Sequence, residues 1–190
     1  PPPPPPPPPT SAHAPLPYAT GFESGALDTY WSTHSSAEGR IQVTSANGPS
    51  AGGFHLTLDD SVNGSQYSTN EAWLRLDLSG ETQVDLSFRW KEFADETHAE
   101  DGVYFSDDGG STFVKVFDLE GQATQNNSWQ SFTLTVEQLA AAAGLGLTDS
   151  FVVKFQQYDN YGITSDGFAF DEIAVDPVTG GPPPPPPPPP

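Results

Sequence analysis

The chain predicts an antiparallel β-sandwich of jelly-roll type with one short helix, and three observations carry that prediction. Short runs in which every second residue is apolar fill most of residues 18–176. Clusters of Gly, Asn, Asp and Ser separate these runs at intervals of roughly 8 to 12 residues. Only one segment has a helical period.

The chain divides into three parts. Residues 1–17 hold nine prolines, Pro1 to Pro9, and a Ser/Ala/Pro-rich lead-in from Thr10 to Pro17. Residues 177–190 form a Gly-Pro linker and a second run of nine, Pro182 to Pro190. Proline fixes φ and has no backbone N–H, so each run is expected to form a polyproline II rod of roughly 28 Å, at about 3.1 Å per residue. Such rods are stiff spacers. Matching rods at both ends read as one unit of a longer Pro-linked array, with any signal peptide lying upstream.

Residues 18–176 are long enough for one domain with a core of its own. The clearest strands are Ile41 to Thr44, Phe54 to Leu58, Trp73 to Leu78 and Val84 to Trp90. In the third, Leu74, Leu76 and Leu78 face one way while Arg75 and Asp77 face the other. Further strands are expected at Gly102 to Ser106, Phe113 to Leu119, Trp129 to Leu134, Phe151 to Tyr158 and Phe168 to Val175. Between the first two of these, Asp107-Asp108-Gly109-Gly110-Ser111 is hairpin chemistry. The helix is expected to start with Thr135 as cap and Gln138 three residues on, run through Leu139 to Ala143, and stop at Gly144.

Composition narrows the partners. There are 25 acidic residues against 6 basic ones, a formal net charge of −19, which argues against nucleic acid or an anionic membrane. No apolar run is long enough to insert into a bilayer. Cysteine is absent, so disulfides and thiolate chemistry are excluded, and methionine is absent too.

Several short motifs resemble catalytic signatures but lack their context. Gly48-Pro49-Ser50-Ala51-Gly52 fits G-x-S-x-G, yet it precedes a strand where a nucleophile elbow needs a helix. His98-Ala99-Glu100 copies the H-x-E of zinc deaminases without the cysteines they require. His13, His34, His55 and His98 sit singly in different segments, with no zinc-pair spacing. Ser106-Asp107-Asp108-Gly109-Gly110-Ser111-Thr112-Phe113 matches an Asp-box, which in a single copy reads as a hairpin that bonds its own turn. No enzyme activity is expected.

The residues resemble the MAM-like, concanavalin-type jelly rolls of bacterial secreted proteins. The likeness rests on Gly21-Phe22-Glu23-Ser24-Gly25 followed by Trp31, on Gly53-Phe54-His55-Leu56-Thr57-Leu58-Asp59-Asp60, and on Asp101-Gly102-Val103-Tyr104-Phe105-Ser106. Trp129-Gln130, the helix, and Asp166-Gly167-Phe168-Ala169-Phe170-Asp171-Glu172-Ile173 complete it. The resemblance implies one structural Ca²⁺ held by a carboxylate on the first strand, acids after an early strand and an Asp on the last. By position these are Glu23, Asp59 or Asp60, and Asp171.

The function expected first is a non-catalytic extracellular or cell-surface structural repeat of bacterial type. It would be a calcium-stabilised jelly roll linked by polyproline rods to copies of itself, in a filament, matrix or adhesin array. The alternative is a carbohydrate-binding module of a secreted polysaccharide-degrading enzyme, with glycans as partners. Its candidate residues are Tyr158, Asp159, Asn160, Tyr161 and Asp166, a polar aromatic loop before the last strand. Trp31, Trp73, Trp90 and Trp129 are assigned to the core. Two sequons, Asn63-Gly64-Ser65 and Asn126-Asn127-Ser128, are candidate glycosylation sites.

Overall fold

The computed structural model describes residues 12–94, 98–119 and 127–178. Eleven strands run in chain order through them: β1 (Tyr18–Thr20), β2 (Trp31–Ser35), β3 (Gly39–Thr44), β4 (His55–Asp60), β5 (Ser68–Leu76), β6 (Val84–Glu92), β7 (Gly102–Ser106), β8 (Val114–Asp118), β9 (Gln130–Thr135), β10 (Phe151–Asp159) and β11 (Phe168–Pro177). One helix, α1 (Val136–Ala142), follows β9 directly. Both proline runs and Asn126 lie outside the described residues.

The strands form two antiparallel sheets. One has the order β3-β4-β11-β6-β9, with β1 also paired to β11; the other has the order β2-β5-β10-β7-β8. Period-two patterning decides which side chains enter the space between them. Asn70, Ala72, Leu74 and Leu76 of β5 turn inward and are fully buried, while Glu71, Trp73 and Arg75 turn out and are only partly so. Val84, Leu86, Phe88 and Trp90 do the same on β6.

Aromatic rings join the two sheets. Phe155 of β10 lies 4.9 Å from Phe170 of β11 and 5.4 Å from Phe88 of β6, centroid to centroid. Trp90 meets Phe168 edge-on at 5.1 Å. Trp31 stacks on Phe155 at 6.1 Å and donates its indole N–H to the Tyr18 hydroxyl at 2.7 Å, which satisfies the one polar atom it buries. Trp31 and Trp90 are therefore core residues, as expected; Trp73 and Trp129 are not.

β11 is the strand on which the first sheet turns. It keeps β6 along one side, but on the other it pairs with β4 through Phe168 to Phe170 and with β1 through Ile173 to Val175. A register shift between Asp171 and Ala174 makes the change, with Glu172 at φ 48°. The extra residue moves the buried set from Phe168 and Phe170 to Ile173 and Val175.

The helix ends as expected and begins otherwise. Gly144 adopts φ 75°, and the N–H groups of Gly144 and Leu145 donate to the carbonyls of Ala141 and Ala140, a Schellman stop. At the other end Thr135 makes no side-chain capping bond. Glu137 of the first turn instead accepts from the Val84 N–H at 3.0 Å, tying the helix to β6.

β4 is buried on both faces. Leu56 and Leu58 face the core, while His55, Thr57 and Asp59 are covered on the outer side. The β3–β4 loop folds over part of that side: Lys91 Nζ donates to the carbonyls of Asn47 and Gly48, and Trp129 donates its indole N–H to Gly48. His55 is caught beneath, edge-on to Trp129 at 5.7 Å, with neither ring nitrogen hydrogen-bonded. Burial, aided by the nearby Lys91 charge, pulls its pKa down to about 4.

Two predictions arise from this packing. Phe155→Ala removes the ring that contacts both sheets, and should cost about 3–5 kcal/mol in urea or guanidinium unfolding. His55 binds a proton more readily unfolded, near the ordinary value of about 6.5, than folded. Its contribution is therefore complete above pH ~6.5 and is lost as the pH falls towards 4. The stability of His55→Phe relative to the native chain should rise over that window, and the His55 ring signals in an NMR titration should stay those of the neutral form down to about pH 5.

Candidate functional site

The outer face of the β2-β5-β10-β7-β8 sheet gathers a set of aromatic and charged groups that the core does not use. Alternation sends Glu71, Trp73 and Arg75 of β5 to this face, with Lys154, Gln156 and Tyr158 of β10, Tyr104 of β7, and Ser32 and His34 of β2. Phe113, Tyr67 and His98 reach it from neighbouring loops.

Two aromatic groups stand at its ends. At one, Trp73 lies 4.1 Å from His34 and 4.7 Å from Phe113, centroid to centroid. At the other, Tyr67 and Tyr158 stack at 5.0 Å and 13°, with His98 edge-on to both.

Polar groups bridge the two ends in a connected network. Lys154 Nζ lies 4.3 Å from the Tyr104 ring and 4.5 Å from the Phe113 ring, and donates to Glu71 at 2.8 Å and to Gln156 at 2.6 Å. Gln156 and Tyr104 both donate to the Glu100 carbonyl, and the Trp73 indole donates to Glu71 at 3.0 Å. Arg75 donates to Ser32 and sits 5.9 Å over the Trp73 ring. Burial beside Asp101, Glu100 and Glu71 pushes the Tyr104 hydroxyl up to about 12, so it remains a donor at neutral pH. A cleft of about 270 Å³ opens beside Trp73, lined by His34, Ser35, Ser36, Thr69 and Glu71.

This arrangement offers flat rings and fixed hydrogen-bonding groups, the chemistry that holds ring-shaped polar ligands. It was missed in sequence because Trp73 was assigned to the core. Trp129, also so assigned, lies on the outer side of the opposite sheet, 4.8 Å from Lys91 Nζ.

The four residues expected to share a calcium ion are split between three surroundings. Glu23 lies in the turn after β1, not on a strand, and accepts from the N–H groups of Gly53 and Phe54. Asp171 accepts from Ser50 and Ala51 on the same loop, and from Glu172. These two carboxylates line one groove of about 470 Å³, and their oxygens are already used to pin the loop. Asp59 faces outward into a two-bond pairing with Arg40 and also accepts from Ile163 N–H. Asp60 points inward at the end of the core, one oxygen on Ser61 N–H and the other without a partner. Among the described residues no group of three His, Asp or Glu side chains is placed to hold a metal ion.

The residues expected to bind carbohydrate also separate. Tyr158 belongs to the platform and Tyr161 is 38 % exposed on the following loop. Asp159, Asn160 and Asp166 are buried at the end of the sandwich. Asn63 is exposed, with its side-chain oxygen accepting from Gly162. The G-x-S-x-G motif is a turn in the β3–β4 loop, where Ser50 Oγ donates to Glu172 rather than to any histidine. The Asp-box is a self-bonded hairpin: Ser106 donates to Asp108, and Thr112 donates twice to it.

No family model matches the sequence, and no curated protein does. The fold is that of carbohydrate-binding modules and of a bacterial adhesin domain. TmCBM61, solved in complex with β-1,4-galactotriose, superposes with a TM-score of 0.52 at 14% identity, over 83% of this chain and 94% of that one. The tandem CBM22 domains of Xyn10C from Paenibacillus barcinonensis give 0.54 at 15%, over 93% of this chain and 49% of theirs. The K2 cleaved adhesin domain of Lys-gingipain gives 0.56 at 15%, over 84% and 99%.

Gly110 of the Asp-box hairpin sets the position of Trp73. It has φ 92°, and a Cβ there would stand 2.8 Å from the indole ring. Gly110→Ala should therefore displace Trp73, destabilise the domain by roughly 1–3 kcal/mol and red-shift the tryptophan fluorescence, while leaving the far-UV spectrum of the sheets in place.

Proposed function

We propose that this domain is a non-catalytic glycan-binding module of a secreted protein, with its ligand lying across the outer face of the β2-β5-β10-β7-β8 sheet. The observation that carries this reading is the pair of aromatic clusters joined by a hydrogen-bonded polar floor. Trp73 stands opposite Lys154 in the β5–β10 ladder and Tyr158 stands opposite Thr69, four residues further along. At about 3.3 Å per residue the clusters are roughly 13 Å apart. That span suits several linked sugar rings rather than one. The apolar faces of the rings would lie on Trp73, Tyr67 and Tyr158, and Glu71 and Arg75 would meet their hydroxyls.

The fold likeness to carbohydrate-binding modules supports the same reading, as does the shortage of positive charge, since neutral glycans need none. The structural-array function ranks second: its proline rods lie outside the described residues, whereas the platform gives the sandwich a binding surface of its own. Extracellular placement follows from a role on polysaccharides. No described helix is long and apolar enough to cross a membrane.

Affinity electrophoresis against a panel of soluble polysaccharides, followed by calorimetry on the best ligand, tests this. The native chain should bind at least one polymer. Trp73→Ala and Tyr158→Ala should each weaken that binding by roughly 30-fold, about 2 kcal/mol, while Trp129→Ala on the opposite sheet should leave it unchanged. A native chain that no polymer retards, or a Trp129→Ala variant that loses as much as Trp73→Ala, would remove the platform from consideration.

A further inference from the structure

The cleft beside Trp73 departs from the line of the platform. Thr69, Glu71 and Trp73 face outward along β5, and Tyr67 just precedes that strand, so a chain lying on both aromatic clusters passes over Glu71. The cleft opens sideways from there towards β2, the edge strand of the sheet. On that side His34 stands opposite Glu71, and Ser36 donates its backbone N–H to the Thr69 carbonyl. At about 270 Å³ the cleft falls below the roughly 300–1,000 Å³ of pockets that enclose drug-sized ligands, so it has room for one ring but not for a chain.

Its lining carries hydrogen-bonding capacity that the fold leaves unused. The His34 ring lies 4.1 Å from Trp73, centroid to centroid, and neither of its nitrogens bonds to a described residue. The Thr69 hydroxyl is also without a partner among the described residues. Ser36 Oγ accepts from the Thr69 N–H at 2.8 Å and keeps its own proton to donate. Glu71 takes one donor on each oxygen, Lys154 on Oε1 and Trp73 on Oε2, which leaves each oxygen able to accept once more. Ser35 Oγ donates to Asn70 and can still accept. An imidazole in its neutral form offers one donor and one acceptor, and a hydroxyl offers both. Such a set suits a ligand edge that donates and accepts at several neighbouring points, as the hydroxyls of a sugar ring do. An anion would meet the Glu71 carboxylate, and an apolar group would leave the donors without partners.

We infer that this cleft receives a single-sugar branch, which makes the ligand class of the platform a glycan whose backbone carries short side chains. The inference rests on the glycan reading of the platform. The backbone would lie along Trp73, Tyr67 and Tyr158. The branch would leave it above Glu71 and turn towards β2, with its hydroxyls on His34, Ser36 and Thr69. A linear polymer would use the same rings and leave the cleft to water.

Affinity electrophoresis and calorimetry of the full chain test this on galactomannan and arabinoxylan, each intact and after enzymatic trimming of its single-sugar side chains, with a linear β-glucan alongside. The native chain should bind the intact form of at least one of the two about tenfold more tightly than the trimmed form, the gain of one or two net hydrogen bonds. His34→Phe keeps a ring against Trp73 and Thr69→Val keeps the side-chain shape, so the double variant should fold as the native chain does by far-UV spectrum and thermal melt. It should bring the ratio of intact to trimmed affinity down to about one. Tyr158→Ala should weaken both forms alike and preserve the ratio. Three results would overturn the branch site while leaving the glycan platform in place: equal affinity of the native chain for intact and trimmed forms, binding of the linear β-glucan with neither branched polymer bound, or a ratio that survives in the double variant. A chain that binds none of these polymers, nor any other of the wider panel, would remove both readings.

Discussion

The last strand must serve two partners along one edge, and much of the molecule is arranged around that constraint. β11 cannot extend past Phe170 beside β4, because β1 occupies the next stretch, and the extra residue at Glu172 absorbs the mismatch. Without it, Ile173 and Val175 would turn to solvent and the aromatic core would lose its lower half. Alternation from Phe170 sends Asp171 outward just before the bulge, where it takes two N–H groups of the β3–β4 loop and brings that loop down over β4. His55 is buried under it as a consequence, and the outer side of the β3-β4-β11-β6-β9 sheet is thereby partly closed. The outer face of the opposite sheet carries the platform, where among the described residues Tyr67, His98 and Phe113 join it from neighbouring loops.

Charge imposes the second constraint. With 25 acids and six bases, most carboxylates must remain in water or find neutral donors. Asp108 is the solvated extreme: exposed, and held down to about 2 by hydrogen bonds from Thr112 and Ser106. Asp101 is the opposite extreme: buried, with one oxygen on Tyr158 N–H and the other without a partner, and pushed up to about 8 by loss of solvent. Because both kinds of acid are present, acidification removes some favourable terms and relieves other unfavourable ones. Lys154 lies between two rings and two acceptors at the centre of the platform, and Lys91 is placed likewise on the opposite sheet.

The sandwich was legible because period-two patterning is local. The bounds of β7 match those read from the residues, and β6, β10 and β11 begin where expected and run one or two residues further. β1 escaped because three residues carry too little pattern. Glu23 fell in a turn because Phe22, at φ 59°, ends the strand before it. Facing was harder to read than pairing. Alternation says that Trp73 and Leu74 point to opposite sides, but not which side is the core, and tryptophan's size argued wrongly for burial. The same rule was informative about Asp59 and Asp60: adjacent residues of one strand face opposite ways, and one indeed meets Arg40 outside while the other enters the core end.

The platform's rings are held before any ligand arrives. Trp73 is confined by His34, by Phe113, by the Gly110 backbone and by the bond from its indole to Glu71. Tyr158 is confined by Tyr67 and His98. A surface ring normally loses rotamer freedom when a partner settles on it, at about 0.5–1.5 kcal/mol per side chain, and here most of that loss has been taken in folding. Ser106, Asp108 and Thr112 of the Asp-box hairpin satisfy one another, which makes the turn rigid without help from the rest of the chain, and the rigid turn presses Gly110 against the indole. A motif that is structural on its own terms would therefore contribute to the proposed binding through the ring it immobilises.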